Sequence, residues 1–271
     1  MNNAVIREYR GGDIPEMSAL WQTVFGDGEE LVNSFLELLP DMGTAAVAEL
    51  NGTVAGAAYA VTGMELADAD GKARSCGYIY AVAVAPEFRG NGLGRALTER
   101  VAELAHARGA EVICTLPAEE SLYAWYKTIL GTECVLHRQH FEEKSADVVP
   151  TQRISVVEYG QRREALLSGQ CHMRPSHTAL EFQSRFCAEL GGGLYACGGG
   201  ICSAYLEEGA TVIKELIAPD GTDAADIAAS IGAELGTEQA LYYLPASDGE
   251  PYLAAEPGSI PADCVWNITF D

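Results

Sequence analysis

A glycine-rich segment carries the residue types best suited to chemistry in this chain of 271 residues. It reads Arg-Gly-Asn-Gly-Leu-Gly-Arg over positions 89–95, with glycine at alternate positions. Alternating glycines let backbone N–H groups converge without a Cβ in the way, so the segment can form a concavity that binds anions. A helix that starts there adds its unpaired N–H groups and the positive end of its dipole. The segment therefore predicts a diphosphate site, with Arg89 and Arg95 adding positive charge.

Two common phosphate-binding motifs do not describe this segment. The dinucleotide motif G-x-G-x-x-G fails because the third glycine comes one residue early and Arg95 stands in its place. The nucleoside triphosphate loop fails because no Gly-Lys-Ser/Thr occurs in the chain. A glycine-rich turn that binds nothing is the alternative, and the buried strand before the segment and the periodic helix after it favour a binding site.

The elements that must position this segment alternate between strand and helix. Asn51-Gly52 predicts a tight hairpin, and the long apolar run over 77–86 is typical of a strand buried on both faces. Apolar residues repeat with the helical period over 92–108. The predicted strands of this half are 4–9, 44–50, 53–61, 77–86, 111–117 and 134–141, and its predicted helices are 13–26, 92–108 and 121–130.

The second half repeats this order of elements. A glycine-turned hairpin over 194–207 is followed by a strand over 211–219, a helix over 223–236 and a strand over 240–246. The strands over 77–86 and 211–219 both end in Ala-Pro, which indicates an internal repeat. The fold class predicted is α/β with a mixed sheet, in two tandem domains of one architecture over 1–145 and 152–271. The second copy lacks the glycine spacing and the arginine, and is therefore predicted to be degenerate and to bind no cofactor.

Composition excludes several classes of protein. With 48% hydrophobic and 21% charged residues the chain can bury a core, which excludes intrinsic disorder. Seventeen Lys and Arg against 39 Asp and Glu give a net charge of −22. Nucleic acids and anionic membrane surfaces are therefore unsuitable partners, whereas cationic small molecules suit this charge.

Other patterns concern location and metals. No apolar run approaches the roughly 18 residues that a membrane span needs, and the N-terminal segment has no signal-peptide pattern. The eight cysteines are scattered with no CxxC pair, which predicts reduced thiols in the cytoplasm. The two histidines of 137–140 have no acidic or cysteine partner at ligand spacing, so no metal site is expected.

The glycine-rich segment and its surroundings resemble the GNAT superfamily of N-acetyltransferases. Residues 89–94 fit that family's R/Q-x-x-G-x-G/A signature, and residues 78–131 resemble its core from the fourth strand to the helix with its usual tyrosine. The tandem arrangement is similar to the enhanced-intracellular-survival (Eis) type, without that type's C-terminal sterol-carrier-like domain.

The resemblance implies acetyl-coenzyme A (acetyl-CoA) as cosubstrate, bound by the first domain. The backbone of Val82, Ala83 and Val84 would run beside the pantetheine arm. The N–H groups that would hold the pyrophosphate belong to Arg89, Gly90, Asn91, Gly92, Leu93, Gly94 and Arg95. The family transfers acetyl directly to an amine, so binding both substrates side by side supplies much of the acceleration.

The resemblance also implies that a tyrosine protonates the departing thiolate. Tyr126 fits that position, although the glycine that usually follows four residues later is Gly131, five residues later. Tyr123 is therefore an alternative. Tyr126 also shares a helical face with Leu122 and Ile129, which fits a plain core residue.

The group that takes the amine's proton stays open. Many relatives place a glutamate on the fourth strand, but residues 75–85 contain no carboxylate. A water chain, a backbone carbonyl or a distant group remains, and the candidates are Glu49 and the terminal carboxylate of Asp271, after an apolar strand predicted over 264–270. The function expected is acetylation of a cationic primary amine of a small molecule or peptide, in a chain that can form a homo-oligomer. The alternative is a catalytically silent acyl-CoA sensor.

Overall fold

The computed structural model describes residues 4–268, which divide into two compact units. Unit 1 comprises residues 4–66, 73–135 and 252–261, and unit 2 comprises 67–72, 136–251 and 262–268. None of the helices in the described part of the chain is both long and apolar enough to cross a membrane.

Unit 1 is a mixed sheet with helices, in the order that the sequence predicts apart from one additional helix. Its elements are β1 (Val5–Glu8), α1 (Ile14–Phe25), α2 (Glu29–Met42), β2 (Gly43–Leu50), β3 (Thr53–Ala67), β4 (Ala73–Val84), α3 (Leu93–Ala107), β5 (Val112–Thr115) and α4 (Glu120–Leu130). The strands of unit 1 are ordered β1-β2-β3-β4-β5, and the late strand β13 (Glu250–Ala255) follows β5. The β1–β2 and β2–β3 pairs are antiparallel, β4–β5 is parallel, and β5–β13 is antiparallel.

Unit 2 repeats the central succession of elements of unit 1. They are β6 (Glu133–Lys144), β7 (Thr151–Arg153), α5 (Val156–Leu166), β8 (His172–Pro175), α6 (His177–Glu189), β9 (Gly193–Cys197), β10 (Gly200–Glu207), β11 (Ala210–Ile217), α7 (Ala224–Leu235) and β12 (Gln239–Ala246). Its strands are ordered β6-β12-β11-β10-β9-β7. As in β2-β3-β4-α3-β5, the hairpin β9–β10 leads to β11, and α7 connects β11 to its parallel neighbour β12.

The hairpin and the first central helix form as predicted. Asn51 and Gly52 have φ values of 54° and 84°, the left-handed pair that a two-residue hairpin turn requires, and Leu50 pairs with Thr53. The apolar face of α3 packs on the small side chains of β2 and β3, where alanines leave room for the helix. A Cβ at Gly56 of β3 would lie only 2.8 Å from Leu97 of α3, so the close approach needs glycine there.

The compact units differ from the contiguous domains 1–145 and 152–271 that the sequence predicts. Strand β6 pairs along its length with β12, so unit 2 begins about ten residues before the predicted boundary. Residues 252–261 return to unit 1 because β13 pairs with Cys114 and Thr115 of β5. The strand expected over 264–270 is wrong for its described part, where Val265 forms only an isolated bridge to His172.

A buried ion pair links a helix to the sheet of unit 2. Arg163 of α5 and Glu215 of β11 are both 0% exposed, and the Arg163 Nε donates to both Glu215 carboxylate oxygens at 3.1 and 3.2 Å. The Tyr159 hydroxyl donates to the same carboxylate at 2.7 Å, and Arg163 Nη1 donates to the Met173 carbonyl at 2.6 Å. Burial and the negative charge of Glu215 raise the pKa of Tyr159, which keeps it a hydrogen-bond donor. Glu215 is therefore the acceptor on which two buried donors depend.

We predict that Glu215→Gln destabilises the protein by about 3–5 kcal/mol, because it leaves the Arg163 guanidinium buried without its counter-charge. The matched control is Glu158→Gln, which removes an exposed pair with Arg162 on the same helix and costs less than about 1 kcal/mol. Urea unfolding followed by circular dichroism measures both changes. Equal shifts of the two unfolding midpoints would contradict the importance of the buried pair.

Candidate active site

The site begins where two parallel strands separate. Strands β4 and β5 pair from Cys76 with Val112 to Ile79 with Thr115, and their register ends there. Strand β4 continues for five more residues to Val84. Within this extension Ala81 has φ +48°, a backbone conformation that non-glycine residues rarely adopt and that breaks the regular strand. The edge of β4 that faced β5 thus has no β5 partner beyond Ile79 among the described residues.

The glycine-rich segment follows directly and ends on the N-terminus of α3. A short 3-10 helix over Pro86–Phe88 leads into it, and Gly90 and Gly92 have φ values of 77° and 78°. These two positions require glycine for their conformation, and a Cβ added at either would meet nothing within 4 Å. Gly92 is the N-cap of α3 and supplies no capping side chain, and the first turn of α3 contains no acidic residue. The positive end of this helix therefore faces open space beside the loop.

Polar side chains hold the loop in shape. The Asn91 amide donates to the carbonyls of Phe88 and Arg89 at 3.2 and 3.3 Å. The Arg89 Nε donates to the Val84 carbonyl at 3.0 Å, which ties the start of the loop to the end of β4. Arg95 forms an ion pair with Glu99 one turn along α3 at 2.9 Å. Both guanidinium groups lie at the loop, where they add positive charge near the helix N-terminus.

A cavity of about 560 Å³ lies between the loop, the end of β4 and α4. It brings together most of the residues that the sequence predicts for the site. Those that line it are Val82, Val84, Arg89, Gly90, Gly92, Leu93, Gly94, Arg95 and Tyr126. Asn91 instead braces the loop, and Ala83 is buried on the opposite face of β4, as the alternation along a strand requires. Their assignment to cofactor binding, like that of the lining residues, stays a prediction.

Several lining residues were not predicted from the sequence, and most are apolar. They are Val24, Phe25, Ala81, Phe88, Leu116, Ala118, Leu122 and Trp125. Val24 and Phe25 end α1, far from the motif in sequence, so no local pattern could have found them. Phe88 lies next to the glycine-rich segment and Trp125 next to Tyr126, so their places in the sequence could have identified them as lining residues.

Tyr126 is buried in α4 and reaches the cavity. It is 7% exposed, and its ring packs edge-on against Trp125 at 4.8 Å. Burial raises the pKa of Tyr126. Tyr126 is therefore a neutral phenol at physiological pH and can give a proton to a group in the cavity. Tyr123 is not among the described residues that line it.

Of the two candidates for a base, Glu49 is not brought to this cavity. The Glu49 carboxylate lies on β2, where it accepts a hydrogen bond from Arg7 Nε at 2.8 Å. Asp271 lies outside the described residues. Among the described residues that line the cavity there is no carboxylate, and no group of three or more possible metal ligands occurs in the described part of the chain.

The corresponding place in unit 2 has different chemistry. Strands β11 and β12 pair in parallel only from Thr211 to Ile213, so β11 also continues past its partner. At the start of α7, however, the Asp223 carboxylate accepts a hydrogen bond from the Ala225 N–H at 3.0 Å. This carboxylate caps the helix N-terminus and places a negative charge where unit 1 has an uncapped glycine.

Comparison with protein families gives a match over the part of the chain that contains this site. Residues 14–131 match the model of the Acetyltransferase (GNAT) family. No curated protein matches the sequence of the chain.

Solved structures share the fold over nearly the whole chain. A probable N-acyltransferase from Enterococcus faecalis V583 is 14% identical, with a TM-score of 0.70 over 93% of this chain and 72% of that one. A GCN5-related N-acetyltransferase from Kribbella flavida is 18% identical, with a TM-score of 0.68 over 93% and 70%. Eis1 from Mycobacterium abscessus is 14% identical, with a TM-score of 0.61 over 93% and 73%. The mixed α/β fold of both units is thus the tandem GNAT-like fold that the sequence predicts.

We predict that Gly92→Val weakens binding of coenzyme A at least about tenfold, or 1.4 kcal/mol, measured by calorimetry. Valine cannot adopt φ +78° without strain, so the loop must rearrange and its N–H groups lose their common direction. Gly109→Val is the control, because Gly109 has φ +96°, stands in open space and follows the other end of α3. It strains the backbone in the same way and leaves the affinity unchanged. Equal affinities of the two variants would refute the loop assignment.

Proposed function

Because residues 14–131 form an acetyltransferase domain of the GNAT family, we propose that the protein is an N-acetyltransferase that uses acetyl-CoA. The acceptor is a primary amine of a small molecule or peptide, and transfer occurs by direct attack while both substrates are bound. The observation that carries this proposal is the cavity of unit 1, where an uncapped helix N-terminus, an open strand edge and a protonated tyrosine meet.

The charge and polarity of the residues around the cavity match the parts of coenzyme A. The N–H groups of 89–95, the N-terminus of α3 and the two arginines hold the pyrophosphate. The backbone of β4 beyond Ile79 binds the amide groups of the pantetheine arm, in the place that a further strand would take. The apolar side chains of Val82, Val84 and Trp125 cover the arm. In unit 2 the Asp223 carboxylate repels phosphate, so the chain binds one coenzyme A.

Acetyl-CoA supplies a thioester, which an amine converts to an amide with release of the coenzyme A thiolate. Tyr126 gives its phenolic proton to the departing sulfur, because burial keeps this tyrosine protonated at neutral pH. The cavity holds both substrates in one place, so the reaction between them becomes effectively unimolecular. No carboxylate of the described residues lines the cavity, so we assign the proton of the amine to water that enters with the acceptor.

The charge of the chain favours a cationic acceptor. The net charge of −22 attracts a protonated amine from a distance, while the two cavity arginines keep positive charge at the pyrophosphate end. We predict that the KM of the acceptor rises steeply with ionic strength, because salt screens this long-range attraction. Steady-state kinetics at several salt concentrations measure the effect. A KM that does not change with salt would contradict a cationic acceptor.

The direct test is thiol release from acetyl-CoA with a panel of primary amines. Turnover with at least one amine supports the enzyme. Binding of acetyl-CoA without turnover on any amine would favour a catalytically silent acyl-CoA sensor instead.

We predict that Tyr126→Phe lowers kcat by about 10- to 100-fold and leaves the affinity for coenzyme A unchanged, because it removes only the proton donor. Tyr123→Phe is the matched control one turn earlier on α4, and it keeps wild-type kcat. The rate of thiol release gives kcat for both variants, and calorimetry gives their affinity for coenzyme A. A normal kcat in Tyr126→Phe would exclude this tyrosine as the acid, and a loss confined to Tyr123→Phe would assign the role there.

A further inference from the structure

The indole of Trp125 touches two parts of the candidate active site. On one side it meets the ring of Tyr126 edge-on, with the ring centroids 4.8 Å apart and the ring planes at 79°. On the other side its Cζ2 atom lies 3.7 Å from the point where a Cβ on Gly94 would stand. Gly94 belongs to the glycine-rich segment and to the first turn of α3. Trp125 therefore joins the predicted phosphate site to the tyrosine of the cavity.

The ring contact within α4 shows that both side chains lean into the cavity. Consecutive residues of a helix point about 100° apart, so their rings do not normally face each other. Trp125 and Tyr126 meet nevertheless, and both line the cavity. The half-buried indole is thus a packed part of the cavity wall, with neighbours on two sides.

The glycine at position 94 leaves the room that the indole takes. A Cβ there would be in ordinary van der Waals contact with the indole, and a larger side chain would compete for its place. The same Cβ would lie 3.9 Å from Val84 Cγ2, so the end of β4 is close as well. A second, longer contact joins the two helices, from Arg95 Nη2 to the Thr128 carbonyl at 3.5 Å. The helix that carries Tyr126 thus rests on the first turn of α3.

We propose that Trp125 is a positioning residue for acyl transfer, which sets the distance of the Tyr126 ring from the first turn of α3. This inference rests on the function proposed above. The pyrophosphate binds at that turn, so the turn fixes where the sulfur at the far end of the pantetheine arm lies. Tyr126 must stand within hydrogen-bond reach of the sulfur to give it a proton. A misplacement of about 1 Å can lower a rate about 100-fold, so this spacing controls the rate.

An indole suits this task because it is large and has only two side-chain torsions. Its edge-on contact with Tyr126 fixes the relative orientation of the two rings, which a flexible aliphatic side chain would not do. The same indole covers the pantetheine arm in the proposed complex. Loss of the side chain is therefore expected to lower the affinity for coenzyme A slightly and the rate strongly, and the two effects are measured separately.

The test compares Trp125→Ala with Trp125→Phe. We expect Trp125→Ala to lower kcat about tenfold, because Tyr126 loses the neighbour that places it. The dissociation constant of coenzyme A rises by no more than about threefold, since the contacts with the pyrophosphate remain. Trp125→Phe keeps an aromatic ring beside Tyr126 and recovers most of kcat. Leu130→Ala on the same helix is the control and keeps kcat, because Leu130 packs on the core that α3 shares with the sheet and is not among the described residues that line the cavity.

Two further measurements keep the inference falsifiable. In a Tyr126→Phe background, Trp125→Ala should cause no additional loss of kcat. Carbon NMR of tyrosine labelled at Cε, with the Tyr126 signals assigned from Tyr126→Phe, follows flips of the ring while coenzyme A is bound. These flips should be slow in the wild type and in Trp125→Phe, and fast in Trp125→Ala.

Four results would overturn the inference: a loss of kcat no larger than in Leu130→Ala, a failure of phenylalanine to recover kcat, a further loss in the Tyr126→Phe background, or equal flip rates in all variants. The NMR result does not need turnover. Faster flips in Trp125→Ala of a protein that is inactive on every amine would therefore reject the proposed function alone.

Discussion

The end of the pairing between β4 and β5 is the constraint on which the site of unit 1 depends. Where the two strands are paired, from Cys76 with Val112 to Ile79 with Thr115, backbone hydrogen bonds join them. After Ile79 and Thr115 the strands part, and the remainder of β4 presents an edge that, among the residues the structure describes, β5 does not pair. On its other side β5 is held by β13, and β4 is held to β3 as far as the bond from the Ala85 N–H to the Ala55 carbonyl. Both strands are therefore held by other neighbours at the point where they separate.

The two units share their central elements but differ at the start of one helix. Both have a hairpin, a strand that outlasts its parallel neighbour and a helix that starts beside the strand end. In unit 1 the helix starts at a glycine and keeps its positive end open, whereas in unit 2 it starts at Asp223, whose carboxylate occupies that end. Unit 2 also places Glu215 of β11 in a buried ion pair with Arg163, which serves stability. The two helix starts therefore differ in local charge, one with an open positive end and one with a carboxylate.

The sequence predicted the parts of the fold that local patterns encode. The hairpin at Asn51-Gly52, the helix after the glycine loop and the repeat of the central elements are confirmed. Helix α2 was missed, and it contains Pro40, which is unfavourable inside a helix. Helices α5 and α6 were also missed, although Ser155 and Ser176 cap them with their side chains. Most of β6 belongs to unit 2 and most of β13 to unit 1, unlike in the predicted domains. These assignments depend on pairing between residues far apart in sequence, which no local pattern shows.

The site residues also fall into two groups, those that a local motif identifies and those that only the fold brings together. The loop residues and Tyr126 stand in a contiguous motif, so they could be identified before the structure was known. Phe25 comes from another element and meets the motif only through the packing of α1 against β4. Glu49 was a reasonable candidate by type, but Arg7 on the neighbouring strand engages it. Its place on β2, outside the residues that line the cavity, separates it from the site.

Hydrogen exchange with and without coenzyme A tests the central claim most directly, because it reports on both units of the intact chain at once. The account predicts slower exchange of backbone amides over 81–95 when coenzyme A is present, with no change over 211–226. Protection over 211–226, or protection nowhere in 81–95 at saturating ligand, would contradict it.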